Sequence, residues 1–145
     1  MDWKSEAILK LKEYSAKKVS IDNLTEEIRE LQYRRRSMKS PSADGAPVAG
    51  GTTKREDMLL NTLVMQKELE ENLRIVTRWV RRVEKALGEL TEEEKTVLSR
   101  FFIYPEKGAA ERLSIDLGID IKTVYWRRTQ AIRKFTLALC GCLEN

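Results

Sequence analysis

The residues best placed to do chemistry lie in GIDIKTVYWRRTQAIRKFTLAL, residues 118–139. Gly118 is free to take the positive φ of a turn, and Asp120 offers a side-chain oxygen to the orphan amides of the turn after it. At about 100° per residue, Ile121, Val124, Ala131, Ile132, Phe135 and Leu139 gather on one side of a helix. Lys122, Trp126, Thr129 and Arg133 face the other way, with Thr123 and Tyr125 on the flanks. The stretch also carries Arg127, Arg128 and Lys134 and no acid after Asp120, whereas solvated helices ordinarily mix both signs. Such a surface attracts phosphate. A helix entering the major groove needs side chains near its N-terminus for base edges and cations beside them for the backbone. Lys122, Thr123, Tyr125, Trp126, Arg127, Thr129 and Arg133 are therefore the candidate DNA contacts. Arg127 and Arg133 are assigned to phosphate, and Lys122, Tyr125 and Trp126 to bases.

Other chemistries lack their parts. The chain has no histidine, which removes the usual general base and the commonest zinc ligand. Cys140 and Cys142 stand in a C-x-C spacing close to the last residue, where a disulfide would be strained and a metal would lack partners, so both are read as reduced thiols. Neither an enzyme nor a metal or cofactor is expected. The net charge of +4 is too small to argue nucleic-acid binding from the total, so the position of the charge has to carry it. No apolar run approaches the roughly 20 residues that span a bilayer, and the opening MDWKSEAILK has no signal-peptide core. A cytoplasmic protein with no membrane contact is the expectation.

At 145 residues, a third of them charged, with few Gly and Pro, the composition fits an all-α chain of one small globular unit plus an extended helical one. Residues 1–38 form a helical arm in which Leu11, Tyr14, Ile21, Leu24, Ile28 and Leu31 recur at helical spacing. A break near Val19 and Ser20 would place a capping residue after a β-branched one. The arm ends in Arg34, Arg35 and Arg36, read either as nucleic-acid contacts or as cations favoured at a helix end by the macrodipole. Residues 39–56, with the run SPSADGAPVAGGTT, read as a flexible linker. Residues 57–89 form a second long helix whose Leu59, Leu69, Leu73, Val76, Val80, Val83 and Leu87 make a seam, heptad-like over its second half. The arm folded back across the linker would cover that seam as a coiled-coil-like hairpin, and a second chain would satisfy it equally. On the outer face Arg74, Arg78, Arg81, Arg82 and Lys85 make a basic band, read as a solvated face with pairs such as Glu70 and Arg74, or as a phosphate contact.

Thr91 followed three residues later by Glu94 is a capping box. The helix it opens runs through Val97, Leu98, Phe101 and Phe102 and stops at Tyr104-Pro105. A further short helix from about Gly108 to Leu117 should bury Ala110, Leu113 and Leu117. Residues 90–139 thus form a trihelical unit whose last two helices have the helix-turn-helix arrangement, with residues 140–145 as a tail.

Laid out in this way, residues 90–135 resemble region 4 of bacterial sigma factors, the domain that reads the upstream promoter element. The likeness lies in the capped L-T-x-x-E start, the Leu117-Gly118-Ile119 turn, the T-V-Y of Thr123 to Tyr125, and Ala131. The run FFIYPEKGAAERLSIDLGIDIKTVYWRRTQAIRKFTLAL is similar to that of phage-encoded sigma-like regulators of the ArpU and RinA type. That resemblance implies a sequence-specific regulator of transcription, encoded by a phage or prophage, that binds double-stranded DNA. RNA polymerase is a candidate further partner, although the additional domains by which a full sigma factor binds core polymerase and melts DNA have no match here. Two positions depart from the pattern. Arg128 falls amid the apolar side, where it must snorkel, pair with Glu94 or Asp116, or mark a tilted helix, and Ser114-Ile115-Asp116 is an atypical turn segment. A phage small-terminase-like packaging subunit and a protein-only adaptor binding polymerase through Tyr125 and Trp126 are the competing readings, and the helical arms would support a homo-oligomer in any of them.

Overall fold

A computed structural model describes residues 1–39 and 51–144 of the chain. Helices α1 (Trp3–Lys39), α2 (Gly51–Leu87), α3 (Glu92–Leu98), α4 (Ala109–Leu117) and α5 (Ile121–Cys140) follow in order, and α3 continues into a π-helical segment, Ser99–Ile103. The described residues contain no strand, only an isolated antiparallel bridge between Asp2 and Glu144. None of the helices described is long and apolar enough to cross a membrane.

Helix α1 is continuous through Val19 and Ser20, where the sequence suggested a break. One β-branched residue costs a helix only tenths of a kcal/mol, and neighbouring turns are held, as by the pairing of Lys17 with Glu13 at 3.2 Å. Most of the expected linker, residues 40–50, lies outside the described residues, and its edges are helical. Lys39 closes α1, and α2 starts at Gly51 instead of residue 57. Lys54, Arg55 and Glu56 are good helix formers, and once a helix is nucleated extension by a residue costs little, so the weaker Gly51, Thr52 and Thr53 are drawn in.

Two compact units divide the chain, Met1–Lys18 with Arg78–Asn145 and Val19–Thr77. In the second, Ile28 and Leu31 are buried on the α1 portion and Gln66 on the α2 portion. Gln66 interrupts the seam, its Nε2 donating to Glu70 Oε1 at 2.8 Å, and Leu69 and Leu73 are only half-buried beside it. Such a polar seam position specifies register at the expense of stability.

The first unit holds the deeper core. Val97, Ala110, Leu113 and Val124 form a buried cluster against which Phe101, Leu117 and Ile119 pack. Leu11, Val80, Val83, Leu98, Ala131 and Phe135 are also buried, each large apolar side chain contributing about 1.5–3 kcal/mol. Within this unit side chains of α1 meet side chains of α2. Lys17 Nζ sits 4.0 Å from the centroid of the Trp79 ring, while Lys10, two turns earlier, shares a crevice with Arg82 and Val83.

Local chemistry explains where the short helices begin. Thr91 caps α3: its Oγ1 accepts from the Glu94 amide at 3.2 Å, and the Glu94 carboxylate accepts from the Thr91 amide at 3.0 Å. Arg100 on the π-helical segment reaches both Glu106 and Asp116, at 2.5 and 2.6 Å, and so ties the Tyr104–Gly108 connection to the end of α4. Thr136, fully buried on α5, satisfies its hydroxyl on the Ile132 carbonyl at 2.6 Å.

Candidate nucleic-acid interface on α5

Gly118, at φ 66° and ψ 35°, occupies the left-handed region that glycine takes without steric cost, and so ends α4. The Ile119 amide reaches back to the Ser114 carbonyl at 3.2 Å, and the Ser114 hydroxyl donates to the Ile119 carbonyl. The atypical Ser114-Ile115-Asp116 segment is thus put to use: Ser114 closes the turn, Asp116 receives Arg100, and Ile115 stays 80% exposed. Asp120 then caps α5 through Oδ1, which accepts from the Thr123 amide at 2.8 Å. Hydrogen bonds from Thr123 hold the Asp120 carboxyl below its ordinary range.

Val124, Ala131, Ile132 and Phe135 are buried, which turns the opposite side of α5 outward. Lys122, Trp126, Thr129 and Arg133 are all exposed along that side, at successive spacings of four, three and four residues. Trp126 is 61% exposed and borders a crevice of about 420 Å³ with Val97, Glu93, Arg127 and Gln130 on its walls. Gln130 belongs to this surface although it was not among the candidates. Its signal was present, four residues after Trp126. Thr129 donates its hydroxyl proton to the Tyr125 carbonyl at 3.0 Å, which leaves its oxygen as an acceptor.

Three further candidates are engaged inside the chain. Thr123 is half-buried, with its amide in the cap. Tyr125 packs its ring 6.1 Å from Phe101, and the Arg128 guanidinium lies 4.8 Å from the centroid of each ring. Arg128 therefore finds aromatic faces, while the two carboxylates the sequence offered it are taken: Glu94 by Lys134 at 3.0 Å and Asp116 by Arg100. Arg127 pairs with Glu93. The acid missing from the sequence of α5 is thus supplied across space by α3, and among the described residues no carboxylate pairs with Lys122 or Arg133.

The chain matches no protein-family model, no curated protein and no solved structure. Its own geometry has to carry any reading of function. That geometry is a capped helix presenting an aromatic side chain between two uncommitted cations. The face has donors for phosphate and base acceptors in Lys122, Arg133 and Gln130, and a large flat ring for apolar or stacking contact in Trp126. Among the described residues no cluster of three or more His, Cys, Asp or Glu is arranged to hold a metal ion, and Cys140 and Cys142 are free thiols.

Proposed function

We propose that this chain binds double-stranded DNA sequence-specifically, with α4 and α5 as a helix-turn-helix and the exposed face of α5 in the major groove. The observation that carries the reading is the line Lys122, Trp126, Thr129, Arg133, exposed over the N-terminal two-thirds of a helix whose other side is the core. Base-edge contacts fall to Lys122, Trp126, Thr129 and Gln130, with Arg133 on the backbone. Tyr125 acts chiefly by holding Arg128 and Phe101. The sequence resemblance to sigma region 4 extends the proposal to a phage- or prophage-borne, non-enzymatic regulator of transcription in the cytoplasm, with RNA polymerase as a further partner.

Selection of bound duplexes from a random pool, followed by sequencing, tests it. A defined short motif should emerge, and Lys122→Ala and Trp126→Ala should each lose about 1–3 kcal/mol on that motif and much less on random DNA. Trp126 also favours a second reading. A large, mostly exposed aromatic beside a crevice can anchor a protein interface, and folded variants that bind both duplexes as the parent does would transfer the proposal to a protein-only adaptor.

A further inference from the structure

Helix α2 brings another positive surface to the unit that holds α5. Arg78, Arg81, Arg82 and Lys85 are all exposed, and at about 100° per residue they fall within roughly 100° of arc on one side of the helix. Trp79, Val80 and Val83 between them turn inward, so no large apolar side chain interrupts the row. Earlier on the same helix Arg74 does have a carboxylate partner, Glu71 instead of the Glu70 that the sequence offered, which accepts from Gln66. Among the described residues no carboxylate pairs with Arg78, Arg81, Arg82 or Lys85, although Glu84 and Glu89 belong to the same stretch. The pairing that would make this band an ordinary solvated face is absent where the band is densest.

A second observation concerns what lies beside the row. Arg82, Lys85 and one carboxylate, Glu89, line a groove together with Lys134, Leu137 and Ala138 of α5. Ala86 and Ala138 are small and leave space close to both helices, and Arg82 and Lys85 outnumber the single carboxylate on that lining.

We infer that Arg78, Arg81, Arg82 and Lys85 form a track for the phosphodiester backbone of a nucleic acid, distinct from the exposed face of α5. At a rise of 1.5 Å per residue the row spans about 10.5 Å, enough to meet about four phosphates of one strand spaced roughly 3.4 Å apart along the axis. Three of its four members are arginines, whose planar fork matches phosphate oxygens in pairs. The inference rests on the DNA reading of α5 only in taking duplex DNA as the polyanion. The track carries no base readout, so its contribution is affinity, orientation and salt dependence.

Fluorescence anisotropy of the full chain on its selected duplex, on a random duplex and on a double-stranded RNA, each over a range of salt, tests this. The double variants Arg78→Ala/Arg82→Ala and Arg81→Ala/Lys85→Ala should weaken binding to all three alike. Each should reduce the salt slope by about 1.8, at about 0.9 per contact, with the ratio of selected to random affinity unchanged. Arg82→Lys should keep the parental slope. All positions are exposed, and circular dichroism checks that the variants are folded. A parent that discriminates between duplexes while both double variants keep its affinity and slope overturns the track and leaves the α5 reading standing. Loss of slope in a protein without discrimination does the opposite. A parent that binds poly-glutamate through these residues and no nucleic acid overturns the track in favour of an acidic protein segment.

Discussion

Lys134 Nζ donates to Glu94 Oε1 at 3.0 Å, and so fastens the middle of α5 to the first turn of α3. Burial alone would raise the Glu94 pKa, but hydrogen bonds from Thr91 and Lys134 outweigh it and hold the carboxyl below its ordinary 4.5. A carboxyl depressed in the folded state binds fewer protons there than in the unfolded chain, so stability rises with pH through that window. Its contribution is complete above about pH 4.5 and fades as pH falls through the lowered value. Glu94→Gln, which keeps the reach to the Thr91 amide and discards the charge, should cost about 1 kcal/mol near neutrality. Melting temperatures of parent and variant should converge on acidification. A gap that stays constant down to the acid limit would show that the charge is not what Glu94 contributes.

Arg128 should behave as a stacking residue. Its guanidinium meets the Phe101 and Tyr125 rings, so Arg128→Ala should destabilise by about 1 kcal/mol, from lost stacking and lost cover of the rings. Tyr125→Phe keeps a ring and should be nearly silent in denaturant titration, whereas Tyr125→Ala should resemble Arg128→Ala. If Tyr125→Phe is as damaging as Tyr125→Ala, the phenol is engaged elsewhere and the stack is not its role.

The seam of α2 is unevenly covered, which gives a graded prediction. Val80 is 3% exposed while Leu73 is half-buried. Val80→Asp should cost on the order of 3–5 kcal/mol by stranding a charge in the core. Leu73→Asp should cost clearly less, because its carboxylate can stay hydrated. Equal losses in urea melts would mean that Leu73 is covered in solution by something the isolated chain does not provide, such as a second copy.

What could be read from the sequence was local. Thr91 and Glu94 are three apart, and both of their capping bonds form. The freedom of Gly118 and the oxygen of Asp120 are used as their types suggest, and the 3.6-residue period put Val124, Ala131, Ile132 and Phe135 inside. What escaped was long-range or compensatory. Glu93 and Glu94 neutralise Arg127 and Lys134 across 34 and 40 residues of chain, and no window along α5 contains them. The fate of Arg128 depended on which partners had already been taken, since Lys134 and Arg100 occupy the two carboxylates the sequence offered it. The π-helical segment at Ser99–Ile103 and the continuity of α1 depended on packing and cooperativity, which residue types report only weakly.

The engagement of Arg127 separates two residues that the sequence treats as equivalent phosphate contacts, and that separation is measurable. Arg133 is exposed, and no carboxylate among the described residues pairs with it. If it meets the DNA backbone, Arg133→Ala should lower the salt slope of duplex binding by about 0.9. Arg127 is held by Glu93, so Arg127→Ala should leave the slope near the parental value while weakening affinity, because the freed Glu93 carboxylate then faces phosphate. Glu93→Gln reverses that situation: it releases the guanidinium, and binding should tighten with a slope steeper by up to about 0.9. Anisotropy titrations of the three variants against one duplex over a range of salt decide the matter. If Arg127→Ala and Arg133→Ala lose the same slope and Glu93→Gln gains nothing, the pair opens freely on binding, and the Glu93 contact has no part in setting the charge that α5 presents to DNA.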